Sequence, residues 1–172
     1  MPLPLIQQPA AGTMNTGTTG RRLRRSVIVL AMAFALASAC RDIDVVTASY
    51  GTRAEAEQAG AVAKGWLPAG TPASAHDIRE AHDPDTSRRW GLFNFNPADA
   101  ETLRSMLRPD EVTLNGLSCD IPARVEWWPV LLRGALDHEK LKAANLKTYR
   151  STEGDLTVVV NWAQGRAYYW GD

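Results

Sequence analysis

The chain is poor in the residues that most often build metal and redox sites. It contains 2 cysteines and 3 histidines in 172 residues. Cys40 and Cys119 lie too far apart for a C-x-x-C redox pair, and two cysteines alone cannot form a structural zinc site. The sequence also lacks the glycine-rich phosphate and dinucleotide turns and the G-x-S-x-G turn of serine hydrolases. These absences favour a protein that is not an enzyme and predict no cofactor.

The chain also lacks an excess of basic charge. Its 19 Lys and Arg balance 19 Asp and Glu, and four of the basic residues are the arginines within residues 21–25. Residues 40–172, without those four arginines, therefore carry four more acidic than basic side chains. A nucleic-acid-binding domain needs a basic face, so we expect no nucleic-acid partner.

Residues 26–39 follow this arginine cluster and contain no charged residue. A basic segment followed by a short apolar run and small residues is typical of a secretory signal peptide. The run is too short for a membrane-spanning helix, which needs roughly 20 apolar residues. We therefore predict a signal peptide over residues 1–39, and a translation start at Met14 would give it a more usual length.

Two kinds of cleavage fit the end of this segment, and both cut between Ala39 and Cys40. Residues 37–39 match the A-x-A pattern of ordinary signal peptidase. Residues 36–40 resemble a bacterial lipobox, although Ala37 stands where leucine is usual. The lipobox predicts a lipoprotein anchored to the membrane by palmitate-type acyl chains on Cys40, and Arg41 favours the outer membrane. The alternative is a soluble periplasmic or secreted protein in which Cys40 and Cys119 can form a disulfide.

The rest of the chain predicts one α+β domain over residues 40–172. Strand-forming residues occupy 44–50, and Thr52 with Glu55 forms a capping box that starts a helix, which Gly65 ends. Residues 76–82 and 89–95 read as a β-hairpin around an Asp-Pro-Asp-Thr turn. Asn96 and Pro97 start a second helix. Alternation at the C-terminus predicts a β-meander, so we expect a mostly antiparallel sheet with two main packed helices.

One polar cluster, within residues 76–85, raises the possibility of a metal site. Imidazole and carboxylate groups suit zinc or manganese, and His76, His82 and Asp83 are the candidate ligands. In an extended strand, however, the two histidines lie roughly 20 Å apart at about 3.3 Å per residue. The simpler interpretation is a turn held by side-chain hydrogen bonds from Asp83, so no metal is predicted; a metal-dependent envelope enzyme is the alternative.

Trp127 and Trp128 are the candidate partner contacts. If this stretch is extended, successive side chains point in opposite directions, so both tryptophans cannot be buried together. Tryptophan is enriched at binding hot spots, and we therefore expect one of the two to contact an envelope protein partner.

Residues 49–95 resemble a group of bacterial exported domains, the YbbD head type. The likeness rests on Tyr50, the Glu55-Ala56 helix start, the Gly65-Trp66-Leu67-Pro68 segment, Pro72 with Ser74-Ala75, Ile78-Arg79-Glu80, His82-Asp83 with Asp85-Thr86, and Phe93 with Phe95. This resemblance implies export or lipid anchoring and supplies no catalytic residue. Together these observations predict an exported, lipid-anchored envelope protein that acts as a binding or structural module, or as an accessory subunit of an envelope complex.

Overall fold

The computed structural model describes residues 44–113 and 116–171. The predicted signal peptide, the start at Met14, the cleavage site and the lipidation site at Cys40 lie outside the described residues. Those predictions therefore remain predictions.

A six-stranded antiparallel sheet forms the centre of the domain. Its strands run in the spatial order β1-β2-β3-β8-β7-β6, and every neighbouring pair is antiparallel. A separate two-stranded ribbon pairs β4 with β5. The strands are β1 Val46–Thr52, β2 His76–His82, β3 Arg89–Asn94, β4 Ser118–Cys119, β5 Gly134–Ala135, β6 Lys147–Arg150, β7 Leu156–Asn161 and β8 Arg166–Gly171. The predicted antiparallel sheet, hairpin and C-terminal meander are confirmed.

The prediction of two main packed helices is wrong. The described residues contain three α-helices of six residues or fewer: α1 Arg53–Gln58, α2 Glu101–Ser105 and α3 His138–Ala143. Short 3-10 helices occupy Pro97–Asp99 and Val130–Leu132. None of these helices is long and apolar enough to cross a membrane.

Gly60 explains why α1 is short. Its φ of 79° lies in the left-handed region, where glycine is strongly favoured. The amide of Gly60 donates to the carbonyl of Glu57, and the amide of Ala61 donates to that of Ala56, which is the Schellman pattern. The same pattern recurs five residues later at Gly65, whose φ is 74°. The predicted single helix is therefore interrupted by a second left-handed glycine.

The two faces of the sheet have different coverings. On one face, Phe93, Val158 and Tyr169 pack in a cluster with Ala56, Ala61, Leu67, Leu103 and Leu107 from residues 53–75 and 97–107. We call this the α1 face. Its core side chains come from alternate positions of neighbouring strands, as the pairing of Gly91 with Tyr169 and of Tyr169 with Val158 shows.

The opposite face, which we call the loop face, is covered by residues 117–146. Trp128 is the main anchor of this covering: it is 2% exposed, and its indole N–H donates to the carbonyl of Leu132 at 3.0 Å. Its ring packs edge-on against Tyr168 and Trp170, with centroids 6.0 and 6.1 Å away. Cys119, Val125, Leu132, Leu136 and Leu141 belong to the same cluster. The covering does not reach the end of the face where β1 ends.

Candidate functional site

A bulge in β2 marks the uncovered end of the loop face. The register between β2 and β3 shifts between His76 and Arg79. Within the bulge, Asp77 has a φ of 49°, which is uncommon for a residue other than glycine. Backbone strain of this kind often accompanies binding or catalytic sites, and bulges reorient side chains next to such sites. The bulge therefore makes the surface around Asp77 a candidate binding site.

A chain of hydrogen bonds connects Asp77 with β3 and β8. The side-chain amide of Asn94 donates to Asp77 Oδ2 at 3.2 Å, and Nε of Arg166 donates to Asn94 Oδ1 at 2.7 Å. Asn94 thus uses its two ends for two partners, which fixes the orientation of both Asp77 and Arg166. The terminal nitrogens of the Arg166 guanidinium remain available to a ligand.

These residues border a groove of about 660 Å³ that crosses β1, β2, β3 and β8. A volume of this size is in the range of ligand-binding clefts. The lining combines aromatic, apolar and charged side chains. It consists of Ser49, Tyr50, Gly51, Asp77, Ile78, Arg79, Leu92, Asn94, Trp127, Pro129, Arg166 and Tyr168. We call it the Trp127 groove.

Trp127 and Trp128 have the different environments that the sequence predicted for the pair. Trp128 is buried in the covering of the loop face, whereas Trp127 is only partly buried and lies at the rim of the groove. Beside it, Val130 is 84% exposed, one of two exposed large hydrophobic residues in the described chain. The rim therefore presents apolar surface that the domain itself does not cover.

Positive charge in the groove exceeds negative charge. Arg79, Arg166 and Asp77 all line the groove, and all three residues are exposed. Among the described residues, the guanidinium of Arg79 has no hydrogen-bond or ion-pair partner. An exposed guanidinium can form two parallel hydrogen bonds with one carboxylate or phosphate. The groove is thus locally cationic on a domain whose net charge is negative.

A second polar cluster lies on the α1 face and is closed to solvent. Glu80 is 0% exposed, and its Oε2 lies 3.0 Å from Nδ1 of His82, which is 6% exposed. The other carboxylate oxygen, Oε1, is buried without a hydrogen-bond partner among the described residues. Burial raises the pKa of Glu80, while the hydrogen bond and charge of His82 and the charge of Lys64 act in the opposite direction.

Trp66 covers this acid–imidazole pair. Its ring stacks on His82 with a centroid distance of 3.7 Å and an interplanar angle of 11°, and Lys64 Nζ lies 4.3 Å from the Trp66 centroid. The hydroxyl of Tyr169 donates to the carbonyl of Trp66 at 2.7 Å. Burial, and secondly the carboxylate of Glu80, raises the pKa of Tyr169 well above its usual value. Stacking and hydrogen bonds thus enclose Glu80 and His82 in the core of the α1 face.

The three candidate metal ligands are not brought together. His76 lies at the exposed end of β2 with Nδ1 3.1 Å from the carbonyl oxygen of Ser74, whereas His82 lies at the buried end and contacts Glu80. Asp83 accepts hydrogen bonds from the amide of Asp85 and the hydroxyl of Thr86, which confirms the predicted turn. No group of three His, Cys, Asp or Glu side chains suited to a metal occurs within residues 44–113 and 116–171.

Cys119 is a free, fully buried thiol. Burial, followed by the nearby charge of Asp120, raises its pKa to about 12. A thiol with such a pKa is not a nucleophile at neutral pH, because the thiolate is the reactive form. Cys119 therefore packs as a small hydrophobic residue in the core of the loop face.

Sequence reasoning missed most of the groove. It identified Trp127, and it included Asp77 only in the polar cluster of residues 76–85 that was considered as a metal site. It did not identify Arg79 or Arg166 as groove residues, which the β1-β2-β3-β8 order of the sheet brings to the same groove as Asp77. The bulge at Asp77 has no signature in the sequence, since neither glycine nor proline marks it. The Glu80–His82 contact could be predicted from the sequence, because residues two apart in a strand share a face.

Comparison with known proteins finds one family. Residues 44–94, which contain β1, α1, β2 and β3, match the family model described as the YbbD head domain. No curated protein matches the chain, and no solved structure matches it. The match includes Asp77, Arg79 and Asn94 of the groove, whereas Trp127, Arg166 and Tyr168 lie outside it. The resemblance predicted from the sequence is thus confirmed: residues 44–94 are similar to the YbbD head domain.

Proposed function

We propose that the protein is an exported, lipid-anchored envelope protein whose domain binds a protein partner through the Trp127 groove. The YbbD head match supports an envelope-associated module. The arginine-rich signal and the lipobox-like residues 36–40 support export and lipidation at Cys40. The observation that carries the binding role is the groove itself, which combines an aromatic rim, exposed arginines and a strained aspartate on a rigid sheet.

Two measurements test the anchoring and are independent of the groove. The intact mass of the protein recovered from bacterial membranes should show a diacylated or triacylated Cys40 at the N-terminus. Cys40→Ser should release the chain from the membrane fraction while leaving its fold unchanged. An unmodified Cys40 in a soluble fraction would contradict lipid anchoring and restore the alternative of a periplasmic or secreted protein.

Crosslinking in living cells tests the binding role. A photoreactive amino acid at Val130, which is 84% exposed beside Trp127, should give a discrete protein adduct. The same amino acid at Glu101, exposed on the α1 side of the domain, serves as the matched control. Adducts of equal yield from both positions, or none from position 130, would contradict a partner at the groove.

The alternative of a metal-dependent enzyme in the region from His76 to Asp85 has less support. His76 and His82 lie at opposite ends of β2, and the Asp83 carboxylate is occupied by turn hydrogen bonds. Metal analysis of untagged protein tests it: stoichiometric metal that is lost in a His76→Ala/His82→Ala variant would revive this alternative.

A further inference from the structure

The groove has the chemistry of a protein-binding hot spot with a defined charge preference. Trp, Tyr and Arg are the residue types enriched at hot spots, whereas Lys, Glu, Asp, Ser and Ala are depleted at interfaces. The lining contains Trp127, Tyr50, Tyr168 and two arginines, against one residue each of the depleted types Asp and Ser. Residue types enriched at interfaces therefore predominate in the groove.

The charged side chains of the groove favour a ligand of negative charge. Arg79 is exposed and has no partner in the described part of the chain, and Arg166 uses only Nε internally, toward Asn94. Asp77 Oδ2 accepts a hydrogen bond from the side-chain amide of Asn94. Nε2 of His76, at the start of β2, lies 3.9 Å from the same oxygen. Two guanidinium groups with free donors therefore outweigh one carboxylate that already accepts a hydrogen bond.

The dimensions of the groove fit a short extended segment. It crosses four neighbouring strands, a distance of about 14 Å at about 4.8 Å between strands. A peptide of about four extended residues covers that length at about 3.3 Å per residue. The apolar side chains of Trp127 and Pro129 line the same groove as the arginines, so such a segment needs an apolar side chain beside its acidic ones.

We propose that the Trp127 groove binds an extended peptide segment of a partner protein in which acidic side chains, held by Arg79 and Arg166, flank an apolar side chain that packs on Trp127. This rests on the proposed function and specifies its ligand. Association has the electrostatic character of exposed charge pairs, so the affinity falls as salt rises.

The test is a selection from random dodecapeptides displayed on phage, panned against the purified mature chain. Acidic residues next to an apolar residue should be enriched above the input library. Selected peptides should bind Arg79→Glu/Arg166→Glu about 100-fold more weakly, about tenfold for each arginine, and Trp127→Ala about tenfold more weakly. Arg79→Gln alone, the milder change, should weaken binding about tenfold and keeps the test valid if charge reversal impairs folding.

The control has the same change in charge at other positions. Arg124→Glu/Lys142→Glu replaces two exposed basic residues that do not line the groove, and it should bind the selected peptides as the wild type does. Selected peptides without acidic enrichment, or an equal loss in this control, would overturn the proposal. So would displacement of the peptides by polygalacturonate at lower concentration, since an anionic polysaccharide would then be the better ligand. Because the selection needs neither membrane nor cells, its failure is distinct from failure of the Cys40 or crosslinking tests.

Discussion

The two faces of the sheet differ in which side chains they bury and which they expose. The α1 face buries an acid–imidazole pair, Glu80 and His82, and Trp66 stacks on the imidazole. The loop face buries Trp128 but leaves Trp127 and Arg79 at a groove that the covering loop does not fill. The α1 face thus buries polar groups that are better solvated in water, whereas the loop face exposes aromatic surface that could be buried in a core.

The difference separates residues that hold the fold from residues that serve binding. A buried carboxylate without full hydrogen bonding is unfavourable, and the rigid stack on His82 compensates only in part. Trp127 is only partly buried: it packs on the loop-face core, with its ring centroid 6.0 Å from that of Trp128, and the rest of its surface lies at the groove, where it is open to an external contact. The sharpest contrast lies between two neighbours: Trp128 is fully enclosed in the core, whereas Trp127 is shared between the core and the groove.

The largest effect is expected from Trp128→Ala. The change removes an indole that packs on Tyr168 and Trp170 and leaves a cavity in the loop-face core. We expect a loss of about 3–5 kcal/mol in the free energy of unfolding, measured by urea denaturation. Trp127→Ala, the matched control, should cost less than about 1 kcal/mol, and equal losses would contradict the division of roles.

Gly91→Ala tests how tightly the α1 face is packed. An ideal Cβ at Gly91 would lie 2.2 Å from the Tyr169 Cζ and Oη atoms, and Tyr169 is fully buried. The tyrosine must shift, so we expect a loss of about 3 kcal/mol in the free energy of unfolding. Tyr169→Phe removes only the hydrogen bond to the Trp66 carbonyl and should cost about 1 kcal/mol. A Gly91→Ala variant as stable as the wild type would show that this face is loosely packed.

Glu80→Gln tests the buried pair through pH. Because burial raises the pKa of Glu80, this group contributes stability below its usual pKa of 4.5 that is lost as pH rises through the folded-state value. The glutamine variant cannot ionise, and its amide oxygen can still accept from His82. We expect its free energy of unfolding to exceed that of the wild type by about 1 kcal/mol at pH 8 and to vary less between pH 5 and 8. Parallel pH profiles for the two proteins would contradict a raised pKa.

Asp83→Asn should have the smallest effect on stability, and its pH dependence should have the opposite sign to that expected for Glu80→Gln. The backbone amide of Asp85 is the main cause of the lowered pKa of Asp83, with the hydroxyl of Thr86 adding to it. Its contribution to stability is therefore present above the usual pKa of 3.8 and lost as pH falls through the folded-state value. Urea denaturation between about pH 2 and pH 6 should show a shallower acid loss in the variant. A difference in stability confined to alkaline pH would show that the Asp83 turn is not the source of the acid loss.

The sequence predicted what local chemistry determines. Asn96 accepts from the amide of Ala98 as an N-cap, and the C-terminal meander follows its alternation. The capping box correctly predicts where the first helix starts, but the helix ends before Gly60 rather than at Gly65, because the left-handed φ of Gly60 depends on how the chain packs onto the sheet. The groove required β3 to pair with β8, a contact between distant segments that periodicity does not reveal. Which tryptophan is buried depended on the indole N–H of Trp128 reaching Leu132.

The most direct test of the account is the crosslinking yield from position 130 in cells that carry Trp127→Ala, normalised to the amount of protein. The account predicts that the variant accumulates to the wild-type level and that its adduct is lost, because the partly buried Trp127 contributes more to the contact than to the fold. An adduct of undiminished yield from a normally accumulated variant would contradict it.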